Sequence, residues 1–168
     1  MVEYREFLNF FPINARADYA QYQLGMTHFR QMRAPQRDQT ETRETIRELE
    51  ILVARYPNST LMPEAQARLR DARDRLSQAD YEVGFFYYRQ QWYPGAVDRF
   101  RTVLKQDPGF SNRDAVYFHL GEALLKTNQS AEALPYFEQL VNEFEESEYL
   151  VEAKKRIAGL KAQSQAQF

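Results

Sequence analysis

Histidine is the side chain that most often transfers protons or binds metal ions near neutral pH. This chain has two histidines, His28 and His119. Neither belongs to an HExxH pair, and both fall in segments with a helical pattern. A lone histidine on a helix usually packs against neighbours or lies at the surface. His28 also stands where a repeat in this sequence has an aromatic residue. We therefore expect neither side chain to be catalytic or to bind a metal.

Other common reaction centres are also missing from the sequence. Cysteine is absent, which excludes disulfides, thiolate metal sites and cysteine nucleophiles. The glycines are single and widely spaced, so there is no phosphate-binding loop, and there is no GxSxG element. Acidic pairs such as Glu145 and Glu146 are better explained as helix starts and solvated faces. The sequence predicts a protein that is not an enzyme, with no catalytic, metal-binding or cofactor-binding residues and no cofactor.

Charge and hydropathy exclude two classes of partner. The chain has 22 basic and 24 acidic residues and a net charge of -2, which predicts no affinity for nucleic acid or anionic lipid. No stretch of 18 apolar residues exists, so no membrane-spanning helix is expected. The four arginines from Arg68 to Arg75 alternate with Asp71 and Asp74. This pattern predicts a surface helix with ion pairs that are individually weak.

Aromatic side chains give the strongest functional signal, because they make up 14% of the chain. Phe85 to Tyr88 are four consecutive rings, and Trp92 follows soon after them. Successive helical residues are rotated by about 100°, so these rings cannot all face one core. Some must pack between helices, and others must face solvent or a partner, for which Tyr and Trp are preferred anchors. Packing between helices stays open as the alternative for each ring.

The elements that position these rings follow an internal repeat. Its spacing matches the tetratricopeptide repeat (TPR), in which each unit is a pair of antiparallel helices. Small residues let the helix axes approach, large residues fill the gap to the next unit, and the units stack because none buries its apolar face alone. The matching residues are Gly84, Tyr87, Ala96, Phe100 and Pro108 in one copy, and Tyr117, Gly121, Ala133, Phe137 and Glu145 in the next, where glutamate replaces the closing proline.

The repeat predicts an all-α fold, a TPR-like right-handed superhelix of antiparallel pairs with about eight helices. The helices are expected at residues 3–11, 15–32, 42–55, 61–90, 94–105, 113–126, 130–144 and 148–161. The fourth is one long helix shared by two repeats, since no proline follows Pro63 in it. Residues 1–168 are expected to form one solenoid domain with units at about 1–12, 13–60, 61–110 and 111–147 and a final helix at 148–163. Residues 162–168 are polar and are expected to fray, and the amphipathic start at Met1 predicts an N-terminally incomplete domain.

One turn departs from the repeat. Gly25 and Pro57 are 32 positions apart, eight more than the matching interval in the other units. The additional residues fall between Gln31 and Thr42. An extended loop on a solenoid often belongs to a binding surface, but loops also tolerate insertions with little loss of stability. Both interpretations stay open.

The loop and its flanks resemble a known family. The segments DYAQY at 18–22, LG at 24–25, RDQTETRE at 37–44 and RYPNS at 55–59 resemble the BamD family, outer-membrane lipoproteins of Gram-negative bacteria with TPR folds. The likeness continues through residues 83–88 and 96–108 and covers nearly the whole chain. The Asp-Gln-Thr loop is its most specific part.

The resemblance implies a protein on the periplasmic side of the outer membrane, within the machinery that assembles β-barrel proteins. Its implied partners are the POTRA domains of the barrel subunit and segments of unfolded outer-membrane proteins. In the family, N-terminal repeats are associated with substrate segments and C-terminal repeats with the barrel subunit. The family's signal peptide and lipid-accepting cysteine are absent here, so membrane contact is expected only through a lipid anchor outside this chain.

The predicted function is a non-enzymatic protein-binding scaffold. One alternative is another periplasmic TPR adaptor, such as one that coordinates envelope constriction in cell division. A second is a helical domain appended to an enzyme such as a peptidoglycan hydrolase, although the sequence supplies no catalytic group. The predicted protein-binding residues are Tyr19, Tyr22, Arg30, Arg37, Asp38, Gln39 and Thr40 towards the N-terminus, and Tyr88, Trp92, Lys126, Asn128 and Tyr149 towards the C-terminus.

Overall fold

The computed structural model describes residues 2–165, and this part of the chain contains eight helices and no strand. The helices are α1 (Val2–Phe10), α2 (Ala17–Phe29), α3 (Thr40–Arg55), α4 (Met62–Arg89), α5 (Tyr93–Gln106), α6 (Arg113–Lys126), α7 (Ser130–Glu143) and α8 (Leu150–Gln165). The predicted all-α class and the number of helices are confirmed. The long helix is confirmed too, because α4 has 28 residues without a break.

Helix α8 extends to Gln165, four residues beyond the helix end expected at residue 161. Alanine and glutamine are good helix formers, and neither proline nor glycine interrupts this end of the helix. Residues 166–168 lie outside the described part of the chain. The structure forms two compact units, one ending at Ala79 and the other beginning at Asp80, so the boundary falls inside α4. The single solenoid domain and its unit limits stay a prediction.

The core of the first unit lies between α2 and α3 and the start of α4. Leu49 and Leu52 are fully buried there. Gly25 allows the close approach of α2 and α3, because a Cβ at that position would lie 2.8 Å from Leu49 Cδ2. Two of the four arginines from Arg68 to Arg75 form the expected ion pairs with aspartates on the same helix, Arg68–Asp71 at 3.5 Å and Arg70–Asp74 at 3.0 Å.

The core of the second unit is built around fully buried phenylalanine rings. A Cβ at Gly84 would lie 2.8 Å from the ring of Phe100, and a Cβ at Gly121 would lie 2.5 Å from the ring of Phe137. Each glycine therefore faces a large residue on the next helix, as the repeat predicts. Leu49 has this role in the first unit, eight residues later than the repeat spacing because of the long loop.

Two turns are held by equivalent pairs of polar side chains. Ser59 Oγ donates a hydrogen bond to Asp18 Oδ2 at 2.6 Å, and Ser147 Oγ donates to Asp114 Oδ2 at 2.5 Å. Each serine oxygen also accepts a backbone N–H two residues later, at 3.2 Å in both turns. The second turn therefore has the same contacts as the first, although Glu145 replaces the proline of the repeat.

His119 packs in the core of the second unit and is 9% exposed. The rings of Phe85, Tyr88 and Tyr149 lie around its imidazole, at centroid distances of 4.8, 5.6 and 5.4 Å. Nδ1 lies 2.8 Å from the carbonyl oxygen of Ala115. Because a carbonyl oxygen only accepts hydrogen bonds, Nδ1 bears a proton and donates it.

Acid is expected to destabilise the protein through His119. Burial lowers the pKa of His119 below its ordinary value of 6.5, with smaller opposing effects from Ala115 O and nearby glutamates. The unfolded chain therefore binds more protons as the pH falls below about 6.5, and the free energy of unfolding decreases towards the folded-state pKa. Urea unfolding of the wild type and of His119→Phe at about pH 7.5 and pH 5.5 measures this effect.

The wild type is expected to lose more stability between these pH values than His119→Phe loses. His119→Gln, which stays polar but does not titrate in this range, serves as the second variant. Equal pH dependence in all three proteins would show that His119 contributes none of the effect.

Candidate protein-binding surfaces

One buried amide orders the long loop between α2 and α3. Gln39 is only 6% exposed. Its Nε2 donates hydrogen bonds to the carbonyl oxygens of Ala34 at 2.8 Å and Arg37 at 2.9 Å. Its Oε1 accepts a hydrogen bond from Thr42 Oγ1 at 2.8 Å. The loop backbone is neither helix nor strand, so it lacks the regular hydrogen bonds of those elements. The Gln39 side chain supplies hydrogen bonds to carbonyl groups of the loop in their place.

The outer side of this loop presents polar groups in a fixed arrangement. Asp38 accepts hydrogen bonds from the backbone N–H and the hydroxyl of Thr40, both at 3.1 Å. These bonds, and more weakly Arg33 and Arg43, lower the pKa of Asp38. Arg37, Asp38 and Thr40 are all exposed. Of the four predicted loop residues, three therefore lie where a partner can reach them.

Gln39→Ala is expected to release the loop and to lower the free energy of unfolding by about 1–3 kcal/mol. The change removes the side-chain partner of the Ala34 and Arg37 carbonyl groups and leaves the hydroxyl of fully buried Thr42 without its partner. Hydrogen exchange of amides 34–40 measures the loss of order, and urea unfolding measures stability. The control is Arg37→Ala, which truncates an exposed side chain in the same loop. Slow exchange in Gln39→Ala, equal to that of the wild type, would contradict the assigned role of the amide.

The other predicted residues of the first unit lie in different environments. Tyr19 is 50% exposed, in the first turn of α2. Arg30 is exposed at the C-terminal cap of α2. Tyr22 is only 6% exposed and packs in the core, and burial is the main cause that raises its pKa. Tyr22 and Gln39 are therefore corrected from contact residues to supporting residues, because their side chains are enclosed by this unit's own helices and loop.

The second unit has an exposed aromatic surface at the end of α4, formed by Val83, Phe86 and Trp92, which are 39%, 58% and 56% exposed. The Trp92 ring is fixed on its inner side. It meets the Tyr87 ring edge-on at 4.7 Å and covers Gly95, where a Cβ would lie 2.7 Å from it. Its backbone N–H donates to Tyr87 O at 3.0 Å. The outer side of the ring is thus presented to solvent in a defined orientation.

The remaining predicted residues of this unit fall into two groups. Tyr88 and Tyr149 are half-buried and are brought together around His119. Lys126 and Asn128 are exposed at the end of α6 and in the turn that follows, where Asn128 has a φ of 60°. Tyr88 also lies near the ion pair between Arg156 Nε and Glu122 Oε1 at 2.6 Å.

Within the exposed aromatic surface, Phe86 and Val83 are the residues that the predicted set omits. They are three positions apart on α4, so they lie on one face of the helix. The four consecutive aromatic residues signal that some ring must be exposed. The sequence alone does not show which one, because each of the four has packing partners within reach.

The two units also contain equivalent grooves, of about 430 Å³ between α3 and α4 and about 340 Å³ between α7 and α8. Each has an aliphatic floor and an ion pair across its rim, Arg73–Glu50 at 2.6 Å and Lys161–Glu138 at 2.8 Å. Each residue named for the second groove lies 88 positions after its counterpart in the first. The matching positions are Glu50, Val53, Leu69 and Arg73 in the first groove, and Glu138, Val141, Ile157 and Lys161 in the second.

Residues 2–165 contain neither a cluster of metal ligands nor a membrane-spanning helix. This part of the chain has no group of three or more histidine, aspartate or glutamate side chains that could hold a metal ion. None of its helices is long and apolar enough to cross a membrane.

Comparison with known proteins agrees with this architecture. Residues 1–124 match the family model described as "Outer membrane lipoprotein" (YfiO), and residues 115–147, which include most of α6 and all of α7, match a tetratricopeptide repeat. Two curated relatives are named "Outer membrane protein assembly factor BamD". The one from Caulobacter vibrioides is 28% identical over 127 residues, which cover 76% of this chain and 42% of the relative.

The second relative, from Vibrio cholerae, is 27% identical over 107 residues, which cover 58% of this chain and 44% of the relative. The chain thus spans less than half the length of either relative. The family model, in contrast, matches most of the chain, from α1 through nearly all of α6. From this match and the TPR-like helix pairs, we conclude that the chain belongs to the outer membrane lipoprotein (YfiO) family.

Proposed function

We propose that this chain is a non-enzymatic protein-binding scaffold in the machinery that inserts β-barrel proteins into the outer membrane, on the periplasmic side. The observation that carries the proposal is family membership, together with two relatives named as assembly factors. The family description as an outer membrane lipoprotein supports the location. The two ordered, exposed surfaces are consistent with a binding role.

The partners we propose are POTRA domains of the barrel subunit and unfolded segments of outer-membrane proteins. The aromatic surface suits a folded domain, because rings fixed on their inner side lose little conformational freedom on binding. Phe86 and Trp92 would fill hollows on that domain, and Lys126 and Asn128 would add polar contacts at another turn of the same unit. The loop suits an extended segment, because Asp38 and Thr40 offer acceptor and donor groups to a peptide backbone.

Site-specific photo-cross-linking in living cells tests this proposal. A benzoylphenylalanine at position 86 or 92 of the full-length protein is expected to give adducts with the barrel subunit, and one at position 19 with nascent outer-membrane proteins. Position 151 provides the control, because Val151 is 66% exposed and lies outside both surfaces. Adducts with cell-division proteins at positions 86 and 92, and none with the barrel subunit, would favour the adaptor alternative and contradict the proposal.

A further inference from the structure

The long loop and the first turn of α3 contain a local excess of arginine. Residues 30–43 include four arginines and two acidic residues, whereas the whole chain has a net charge of -2. All four arginines are exposed. We call them the arginine surface; its members are Arg30, Arg33, Arg37 and Arg43. Because basic and acidic residues are nearly equal in number over the whole sequence, the net charge does not reveal this local excess of arginine.

The two acidic residues in this segment leave the arginine surface largely unneutralised. Glu41 Oε2 lies 2.7 Å from Nδ1 of the buried His28, so this carboxylate already has a partner outside the arginine surface. Asp38 is bonded to Thr40. In the described part of the chain, no carboxylate lies within ion-pair distance of any of the four guanidinium groups. Their donors are therefore available to a ligand.

The backbone beneath the arginine surface is held in place from two sides. Gln39 bonds the carbonyl groups inside the loop, including that of Arg37. On the outside, the Arg75 side chain of α4 donates to the carbonyl oxygen of Arg33 at 2.9 Å. A charged surface on a fixed backbone loses less entropy on binding than one on a mobile loop. This order distinguishes the segment from an ordinary solvated insertion.

Resting on the proposed scaffold function, we propose that the arginine surface binds an acidic segment of a partner protein through its carboxylates. Guanidinium groups pair with carboxylates in a planar, two-point geometry and stay charged at all physiological pH values. Asp38, in the middle of the surface, accepts backbone N–H groups of a peptide and repels a continuous row of phosphates. Residues 30–43 contain no exposed large hydrophobic side chain to enter a bilayer, which favours a peptide over a lipid surface.

Fluorescence anisotropy with a labelled peptide, Gly-Glu-Asp-Gly-Glu-Asp-Gly, tests this assignment. The wild-type chain is expected to bind the peptide, and more weakly as salt is raised. The triple variant Arg33→Gln, Arg37→Gln, Arg43→Gln is expected to bind it about tenfold more weakly. Asp38→Asn keeps a hydrogen-bond acceptor but removes the negative charge, and is expected to bind more tightly. The control triple variant Arg89→Gln, Lys105→Gln, Lys154→Gln changes net charge equally at exposed positions and is expected to bind as the wild type does.

Circular dichroism confirms that each variant is folded before binding is compared. Equal losses in the two triple variants would overturn the assignment, because total charge and not the arginine surface would then control binding. Tighter binding to phosphatidylglycerol vesicles than to the peptide would overturn it in favour of lipid. Absence of peptide binding with intact capture of POTRA domains would overturn this inference alone. Peptide binding without POTRA capture by the full-length protein would overturn the proposed function and leave the arginine surface standing.

Discussion

Phe137→Ala is expected to lower the free energy of unfolding by about 3–5 kcal/mol, the usual loss when a buried phenylalanine is truncated. Phe137 is fully buried, and its ring occupies the space that the missing side chain of Gly121 leaves open. The surrounding side chains are held by the helix backbones and cannot move far enough to fill the cavity. Urea unfolding followed by the fluorescence of the single tryptophan, which lies in the same unit, measures the change.

The pairing with Gly121 makes this prediction specific. In the wild type, Gly121→Ala is expected to destabilise by about 1–3 kcal/mol through overpacking, despite the better helix propensity of alanine. In Phe137→Ala the same change is expected to be neutral or stabilising, because the added methyl group enters the cavity. Gly159→Ala is the matched control, since nothing lies within 4 Å of a Cβ at that position of α8. Equal effects of Gly121→Ala in the two backgrounds would contradict the proposed contact.

The glycine–aromatic pairs show what the sequence is able to predict. Gly84 with Phe100 and Gly121 with Phe137 follow from repeat spacing alone, because the helix period and the close approach of paired helices fix which positions face each other. Helix ends are predicted less accurately. They depend on side-chain contacts between residues far apart in the chain, such as the hydrogen bond from Ser147 to Asp114.

Replacing Phe86 and Trp92 together by alanine is expected to weaken binding of a POTRA domain by about thirtyfold or more. A loss of at least about 2 kcal/mol is usual for aromatic anchors at the centre of an interface. Both rings are more than half exposed, and Trp92 is held in position by Tyr87 and Gly95. Isothermal titration of the purified domains measures the change in affinity.

Val151→Ala is the control for this variant, because it removes an exposed apolar side chain from the same unit without touching the aromatic surface. It is expected to bind as the wild type does. Thermal unfolding of the double variant establishes that the second unit is intact. An unchanged affinity in the folded double variant would move the partner site away from the aromatic surface.

The binding residues were less predictable than the fold. Tyr22 and Gln39 have types that suit an interface, but one packs between helices and the other bonds the loop from within. Residue type does not determine burial at such positions. The direction of each side chain depends on the helix phase and, for the loop, on hydrogen bonds formed only after α2 and α3 have packed. Trp92, one of the predicted binding residues, is exposed, whereas the exposure of Phe86 depends on the rotation of α4 about its axis, which the sequence does not show.

The proposed function requires that the protein bind the barrel assembly subunit. The most direct measurement is size-exclusion chromatography with light scattering of the purified full-length protein mixed with the POTRA domains of the same organism. A complex with the summed mass of the two components is expected, and it should be lost with the Phe86→Ala, Trp92→Ala protein and retained with Val151→Ala. Separate elution of the wild-type protein and the POTRA domains, at concentrations well above those in the cell, would contradict the proposed function.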